Sequence, residues 1–460
     1  MIRLSLSPTT IMIRCTVSMS MIPERKNSAA SGSAADGGLS RIERMRILFC
    51  LHNYHPAKGG AEWLMQNVAE RLAARGHQAT VLATNAWSVE DYFLSVRGRK
   101  MISPTVEDVN GVRVKRVPFS RFGARFLVLG RAAANRLPVP GANALRMLSW
   151  GPRSRAYARA AAEEAAEADL VVACPLPTLN VRYAVCAARR LRRPLVIVPC
   201  FHTEDRHTYH HPMYYRWLRS AEAVASLTEH EKNFLKKEGR IAAGKIFITG
   251  AGIEPGSDAR GGSSDVRARY GIPPGECVLF VGQHGRHKGI PDLVRAMSLV
   301  WEEGGEASLV IAGNPTDHTR QVKKLVANME PQKRRKIFFI EQFPEEEKRG
   351  LYRLASVFVS VSPFESFGIV FLEAWRERRP VIGCVRGASS KVIKAFQDGL
   401  LVEPEKPREL AGAILALLRD PAARQKMGER GRKKVEDLYA WDRVMEKWEN
   451  VFIRAVSRST

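Results

Sequence analysis

Pro363-Phe364-Glu365-Ser366-Phe367-Gly368-Ile369-Val370-Phe371-Leu372-Glu373 follows the apolar run Val357 to Val361 and opens a segment of helical character. The order is strand, tight turn, helix. Gly368 allows a close backbone approach, and amide N–H groups at a helix N-terminus favour an anion such as phosphate. Glu365 stands in the turn, and Glu373 is expected about two helical turns further on. Carboxylates repel phosphate and suit hydroxyl groups, so the pair fits a sugar and a ribose. Two glutamates at this spacing also arise on an ordinary solvated helix face, and the rest of the chain has to decide between the readings.

Outward from this stretch the same alternation recurs. In the C-terminal half, strands are expected at Cys277 to Val281, Ala307 to Ala312, Lys336 to Ile340, Val357 to Val361, Pro380 to Cys384 and Leu400 to Val402. Gly289 to Val300, Gln321 to Met329 and Glu345 to Leu354 read as helices between them. In the N-terminal half, Ile47 to Leu51, Gln78 to Thr84, Leu170 to Cys174, Leu195 to Pro199, Val224 to Leu227 and Lys245 to Thr249 read as strands. One helix closes at Ala74 before Gly76, and another spans Glu229 to Lys237. This pattern builds α/β, doubly wound parallel sheets. The Gly/Ser-rich stretch Ala251 to Ser263 has the composition of a linker.

At 460 residues the chain exceeds one ordinary core, which implies two domains of about 200 residues. We place them at 45–253 and 254–440, followed by an amphipathic helix from Trp441 within 441–460. Residues 1–44 are rich in Ser, Met, Ala and Gly and lack the apolar stretch of a signal peptide. They read as a disordered extension or an overcalled start, with a targeting peptide as the remaining alternative, and Met45 opens the first domain.

The composition, 45% hydrophobic and 26% charged, is that of a soluble globular protein, and no apolar run approaches the ~18 residues of a membrane span. Seven scattered cysteines without C-x-x-C spacing argue for a reducing cytosol and against a zinc site or a disulfide framework. The formal charge of +25 raises nucleic acid, membrane surface and anionic substrate as partners. Between Val109 and Ala162 there is no acidic residue, and arginines alternate there with Phe119, Phe122, Phe126, Leu129 and Trp150. That mixture suits an anionic membrane surface or a lipid-phosphate acceptor, with a plain solvated basic face as the alternative. No nucleic-acid motif accompanies the charge, so no nucleic acid is expected. The G-x-G-x-x-G fingerprint is absent, which removes the main support for a dehydrogenase.

Three further loops fall at strand ends. Val281-Gly282-Gln283-His284-Gly285-Arg286-His287-Lys288-Gly289 precedes a helix and offers positive charge and backbone donors to a leaving diphosphate, Lys288 foremost. Gly59 and Gly60 open the first helix, with Glu62 favourable to its dipole. Cys200-Phe201-His202-Thr203-Glu204 follows the strand ending at Pro199. His207, His210 and His211 follow closely, but carboxylate or cysteine partners at metal-ligand spacing are poor, so no metal site is assigned.

With these motifs in this order, the chain from about Met45 onward resembles glycosyltransferase family 4, whose members are retaining enzymes of GT-B fold. The resemblance implies two Rossmann-like domains facing a cleft and a C-terminal helix that returns to the first domain. It implies that Glu373 bonds the ribose and Glu365 the transferred sugar. Phe367, Gly368 and Ile369 would meet sugar or phosphate oxygens through their backbone, and His202 would contact the sugar near the reacting carbon. Gly59 and Gly60 would lie across the cleft near the diphosphate, and Asn314 would border the base. Two departures stand out. Gln283 takes the place of a usual arginine, a charge that Arg286 would supply, and Trp375, Arg376, Glu377, Arg378 and Arg379 replace small residues and a glycine before Pro380. We expect these five positions on the helix surface.

The expected activity is metal-independent transfer of a hexose from a nucleotide-diphosphate sugar to a hydroxyl of a glycan, glycolipid or polysaccharide, with no cofactor beyond the sugar donor. The expected setting is cytoplasmic, at the inner face of the plasma membrane. The alternative is a catalytically weakened protein of the same fold that binds a nucleotide sugar or an anionic membrane.

Overall fold

A computed structural model describes residues 44–57, 59–92, 101–103, 105–136, 142–255 and 263–458. The extension expected at 1–44 therefore lies outside the described residues except for Arg44, and so does part of the expected linker.

Eight strands form the first sheet: β1 (Arg46–Leu51), β2 (Gln78–Thr84), β3 (Val106–Val109), β4 (Val112–Val117), β5 (Leu170–Cys174), β6 (Leu195–Ile197), β7 (Ala223–Ser226) and β8 (Ile246–Ile248). Their spatial order is β3-β4-β2-β1-β5-β6-β7-β8, parallel throughout except for the β3–β4 hairpin. The second sheet holds β9 (Glu276–Val281), β10 (Ala307–Ala312), β11 (Ile337–Ile340), β12 (Val357–Ser360), β13 (Val381–Cys384) and β14 (Gly399–Val402). Its order is β11-β10-β9-β12-β13-β14, all parallel.

β1, β5, β9 and β10 are apolar almost without alternation because helices cover both faces of each sheet. The helix Gly60–Ala74 shows the matching pattern, burying Leu64, Met65, Val68 and Leu72 on one stripe. Each sheet reverses its winding once, between β1 and β5 in the first and between β9 and β12 in the second. Loops leaving the strands' carboxyl ends at such a point diverge and leave a crevice.

The C-terminal helix Trp441–Ser457 packs on the first sheet. Trp448 and Phe452 are fully buried there, Phe452 stands edge-on to Phe49 with ring centroids 6.4 Å apart, and Glu449 accepts from Arg75 at 2.8 Å. The two halves are tied where the chain crosses twice. The Ile253 amide donates to the Tyr439 carbonyl at 2.8 Å, and the Trp441 indole presses on Gly252, where a Cβ would collide with it. Trp63 and the Arg71 guanidinium hold the other side of that indole, at 5.7 and 4.5 Å between centres.

Most expected elements differ from the observed ones only at their ends. Three differences go further. The β3–β4 hairpin falls at the edge of the supposed basic region: Val112 and Val114 are buried, while Arg113 and Lys115 face Glu164 at 2.6 and 2.9 Å. Arg116 pairs with Glu107. The acid-free window thus begins with cations that acids from outside it neutralise. The segment expected as one helix from Glu345 splits into a 3₁₀ turn, Glu345–Glu347, and the helix Lys348–Leu354.

The third difference is a correction. Positions 375–379 are not all helix surface: Trp375 is fully buried, and the Glu377 carboxylate lies inside a cage of Arg349, Arg353 and Arg376 at 2.7 to 3.1 Å. Space for the indole comes from Gly431 on the helix Pro421–Lys434, where a Cβ would strike the ring. Arg378 adopts φ +56°, a left-handed conformation that costs a non-glycine residue about 1 kcal/mol. Gly431→Ala is expected to overpack this contact and to lower stability by about 1–3 kcal/mol in urea denaturation. An unchanged midpoint would show that the helix shifts freely.

Candidate active site

The loops at both reversal points meet across one cleft, with a cavity of about 460 Å³ between them. From the first sheet come Gly59 and Gly60 after β1, and His202 after β6. From the second come Lys288 after β9, and Glu365, Phe367, Gly368 and Ile369 after β12. Eight of the ten residues singled out in the sequence therefore line one cavity, together with Gln283 and Asn314. Arg286 and Glu373 do not line it.

The Lys288 Nζ lies 2.5 Å from Glu365 Oε1, both largely shielded from solvent. The cation is thus held at the cleft by a carboxylate. Gly368 has φ +92° and caps the helix Ile369–Arg376 without any side-chain cap, and a Cβ there would strike the Phe371 ring. This left-handed turn leaves the first amides of the helix available to an anion. The Glu365 loop is supported from beneath by Gly387, at φ +72°, where a Cβ would collide with the Pro363 carbonyl.

His202 joins the halves: its Nδ1 is 2.6 Å from the Phe364 carbonyl. Burial holds this imidazole below its ordinary range, Lys288 adds to the effect, and the Phe364 carbonyl and Glu365 oppose it. The ring is neutral at neutral pH. A carbonyl only accepts, so Nδ1 carries the proton and Nε2 is left as an acceptor. His287, which the sequence reading did not single out, is pushed down to about 4 by burial and by Lys288, and it lines the same cavity.

Glu373 is buried in its helix and accepts from the Tyr352 hydroxyl at 2.7 Å and from Lys348 Nζ at 2.5 Å. Sequence reading missed Lys348, because Glu345-Glu346-Glu347-Lys348 looks like a solvated charge run and only the tertiary fold brings it to Glu373. Glu62 turns inward and accepts from His52 Nε2 at 2.8 Å. Burial works against that carboxylate, but His52 more than offsets it and holds it below its ordinary range. Its role is thus to fix the Gly59–Gly60 turn on β1. His210 and His211 each place Nε2 on a backbone carbonyl, of Thr203 and His207, at 2.8 and 2.7 Å.

A second cavity of about 540 Å³ adjoins the cleft and shares His202, Tyr209 and His287 with it. Its other walls include Trp150, Glu204 and Asp205. The loop between the cavities is anchored by Glu231, fully enclosed, which accepts from the Phe201 amide at 2.7 Å, the Leu227 amide at 2.6 Å and Ser226 Oγ at 2.9 Å. Burial pushes its carboxyl up to about 7.

Two parallel-sheet domains with a cleft at their strand ends define the GT-B fold, and known structures agree. Anabaena Alr3699/HepE, solved with UDP and glucose, superposes with a TM-score of 0.67 at 16% identity over 88% of this chain and 99% of that one. Sucrose-phosphate synthase from Thermosynechococcus elongatus gives 0.64 at 19% identity over 90% and 100%. The family model for glycosyltransferase family 4 matches residues 58–256, and that for glycosyl transferases group 1 matches residues 264–434. The chain belongs to glycosyltransferase family 4. It is 33% identical over 175 residues to an uncharacterized glycosyltransferase of Methanocaldococcus jannaschii, 38% of this chain and 44% of that one. It is 31% identical over 211 residues to a D-inositol 3-phosphate glycosyltransferase of Acidothermus cellulolyticus, 44% and 46%. The chain spans about half the length of the curated relatives it matches.

Glu231→Gln preserves shape but offers one acceptor to two buried amides, so stability should fall by about 1–3 kcal/mol. The sign with pH is set by a raised carboxyl. Its contribution is complete below the unfolded value of 4.5 and is lost as pH rises through about 7. Thermal unfolding across this range should show that loss in the parent protein and lack it in the variant. Parallel curves would exclude Glu231 as its source.

Proposed function

We propose that this protein is a retaining, metal-independent hexosyltransferase acting from a nucleotide-diphosphate sugar on a hydroxyl of a glycan, glycolipid or polysaccharide. The observation that carries the reading is the Lys288–Glu365 pair, set in a cleft between two sheet reversals opposite Gly59 and His202. A bound diphosphate would take Lys288 and the free amides after Gly368, releasing Glu365 to bond a sugar hydroxyl. Glu373, steadied by Tyr352 and Lys348, would receive the ribose. The neutral His202 would accept a hydroxyl of the transferred sugar through Nε2.

In this scheme the bond from the anomeric carbon to the diphosphate breaks with its electrons leaving on the phosphate oxygen. The acceptor oxygen bonds the same face, and its proton passes to the departing diphosphate. Closure of the cleft excludes water and so favours transfer over hydrolysis. The acceptor would enter through the second cavity, where Trp150 offers an apolar face and Glu204 and Asp205 offer hydroxyl partners. Alr3699/HepE has been solved with UDP and glucose, which favours a donor of the same type here. We place the action in the cytoplasm at the inner face of the plasma membrane; no helix among the described residues is long and apolar enough to cross it.

A binding protein without transfer is the second reading, favoured by Gln283 in the cleft wall where an arginine was expected. Thermal shift with UDP, GDP and ADP and their sugar conjugates tests donor binding. One diphosphate should stabilise the protein by about 2.7 kcal/mol at a hundredfold excess over its dissociation constant, and Glu373→Ala should lose the effect. Lys288→Ala should lower kcat/KM for donor turnover by about a hundredfold to a thousandfold, the scale of removing one transition-state charge partner. Nucleotide binding with no turnover under any acceptor would leave the binding protein as the correct reading.

A further inference from the structure

Outside the cleft, the largest unexplained feature is an apolar edge on the first domain. Phe126 is 81% exposed and Leu129 68%, three residues apart and so on one side of the helix Ala124–Arg136, and Phe122, 92% exposed, stands in the turn just before that helix. Trp87 and Met101 are also exposed, and Met101 is bound to this edge through Arg121 at 3.1 Å and through a bridge to Ala86. Five of the eight large exposed hydrophobic residues in the described chain thus belong to one region. Scattered exposed side chains need no explanation, but a contiguous set marks an interaction surface.

The inner side of the same helix is already in use. It forms a hairpin with the helix Ala142–Trp150, Gly130 meets Leu145, and the Arg131 guanidinium lies 4.3 Å over the Trp150 ring. The hairpin is therefore held by its own contacts, and Phe122, Phe126 and Leu129 are not needed to fold it. Charge selects the occupant. Residues 118–154 contain Arg121, Arg125, Arg131, Arg136, Arg146 and Arg153 and no acidic residue. A second copy would set the same positive charge against itself. An anionic lipid surface answers both features at once, with a negative field for the net positive charge and the acyl boundary for the two phenylalanines and the leucine.

We propose that the edge formed by the helices Ala124–Arg136 and Ala142–Trp150 docks this protein on an anionic bilayer by shallow insertion of Phe122, Phe126 and Leu129. The hairpin ends at Trp150, which walls the second cavity beside His202. Docking would set that cavity at the membrane, so the acceptor is expected to be lipid-borne; this last step rests on the glycosyl-transfer reading above.

The test is flotation of the full chain with vesicles of phosphatidylcholine alone or with about 30 mol% phosphatidylglycerol. Binding should need the anionic lipid and weaken as salt rises from about 0.1 to about 0.5 M. Phe122→Ser/Phe126→Ser should reduce partitioning by about tenfold or more, Phe126→Trp should retain it, and the UDP or GDP thermal shift should stay unchanged in both. Equal flotation of the parent and the serine variant would overturn the proposal. So would a dimer in sedimentation that the serine variant abolishes, or capture by an acidic protein with no lipid binding. Lipid binding in a protein that no nucleotide stabilises would uphold docking and sink the transfer reading, so the two fail separately.

Discussion

The crossing of residues 251–253 with residues 439–441 governs the whole arrangement. Each sheet has its own covering helices, and either would leave only half a site. The Ile253–Tyr439 hydrogen bond, with the Trp441 indole lodged between Gly252 and Trp63, fixes the two halves at their crossing. Phe367, which lines the cleft, packs edge-on against Tyr439 at 5.7 Å, so the same junction reaches directly into the site. The returning helix Trp441–Ser457 extends this anchorage across the first sheet through Trp448 and Phe452.

In and behind the cleft walls, buried polar and charged groups are organised in matched sets. Lys288 with Glu365, Lys348 with Glu373, and His52 with Glu62 each place one partner on a strand-end loop or helix start and the other on a neighbouring element. Isolated charges at these depths would be costly, and pairing allows them to persist. His202 and His287 are kept neutral by the same low-dielectric surroundings, so Lys288 supplies cationic charge that the imidazoles do not. Glu231 does not line either cavity, yet its three accepted hydrogen bonds set the backbone from which His202 projects.

Much of this was legible in the residues themselves. Continuous apolar runs separated by helical periodicity define parallel, doubly wound sheets because both sheet faces must be covered. Glycines at strand ends mark tight turns, and the family resemblance is what singled out Gly59, Gly60, Lys288, Glu365 and Gly368 among those loops. The β3–β4 hairpin was equally legible in the alternation of Val112-Arg113-Val114-Lys115, but its charges drew it into the basic region. Arg113 and Lys115 are balanced by Glu163 and Glu164 on the helix Arg155–Glu167, a pairing that sequence distance hides.

What the sequence alone determined is the set of elements and the loops that carry chemistry, since these follow from short-range pattern and backbone geometry. Only the tertiary structure decided which loops share a cavity, that Lys348 reaches Glu373, that Trp375 is core and not surface, and that Phe122, Phe126 and Leu129 stay outside. Each of these depends on residues far apart in the chain meeting through packing. Local periodicity specifies which side of an element is apolar but not what, if anything, will cover it.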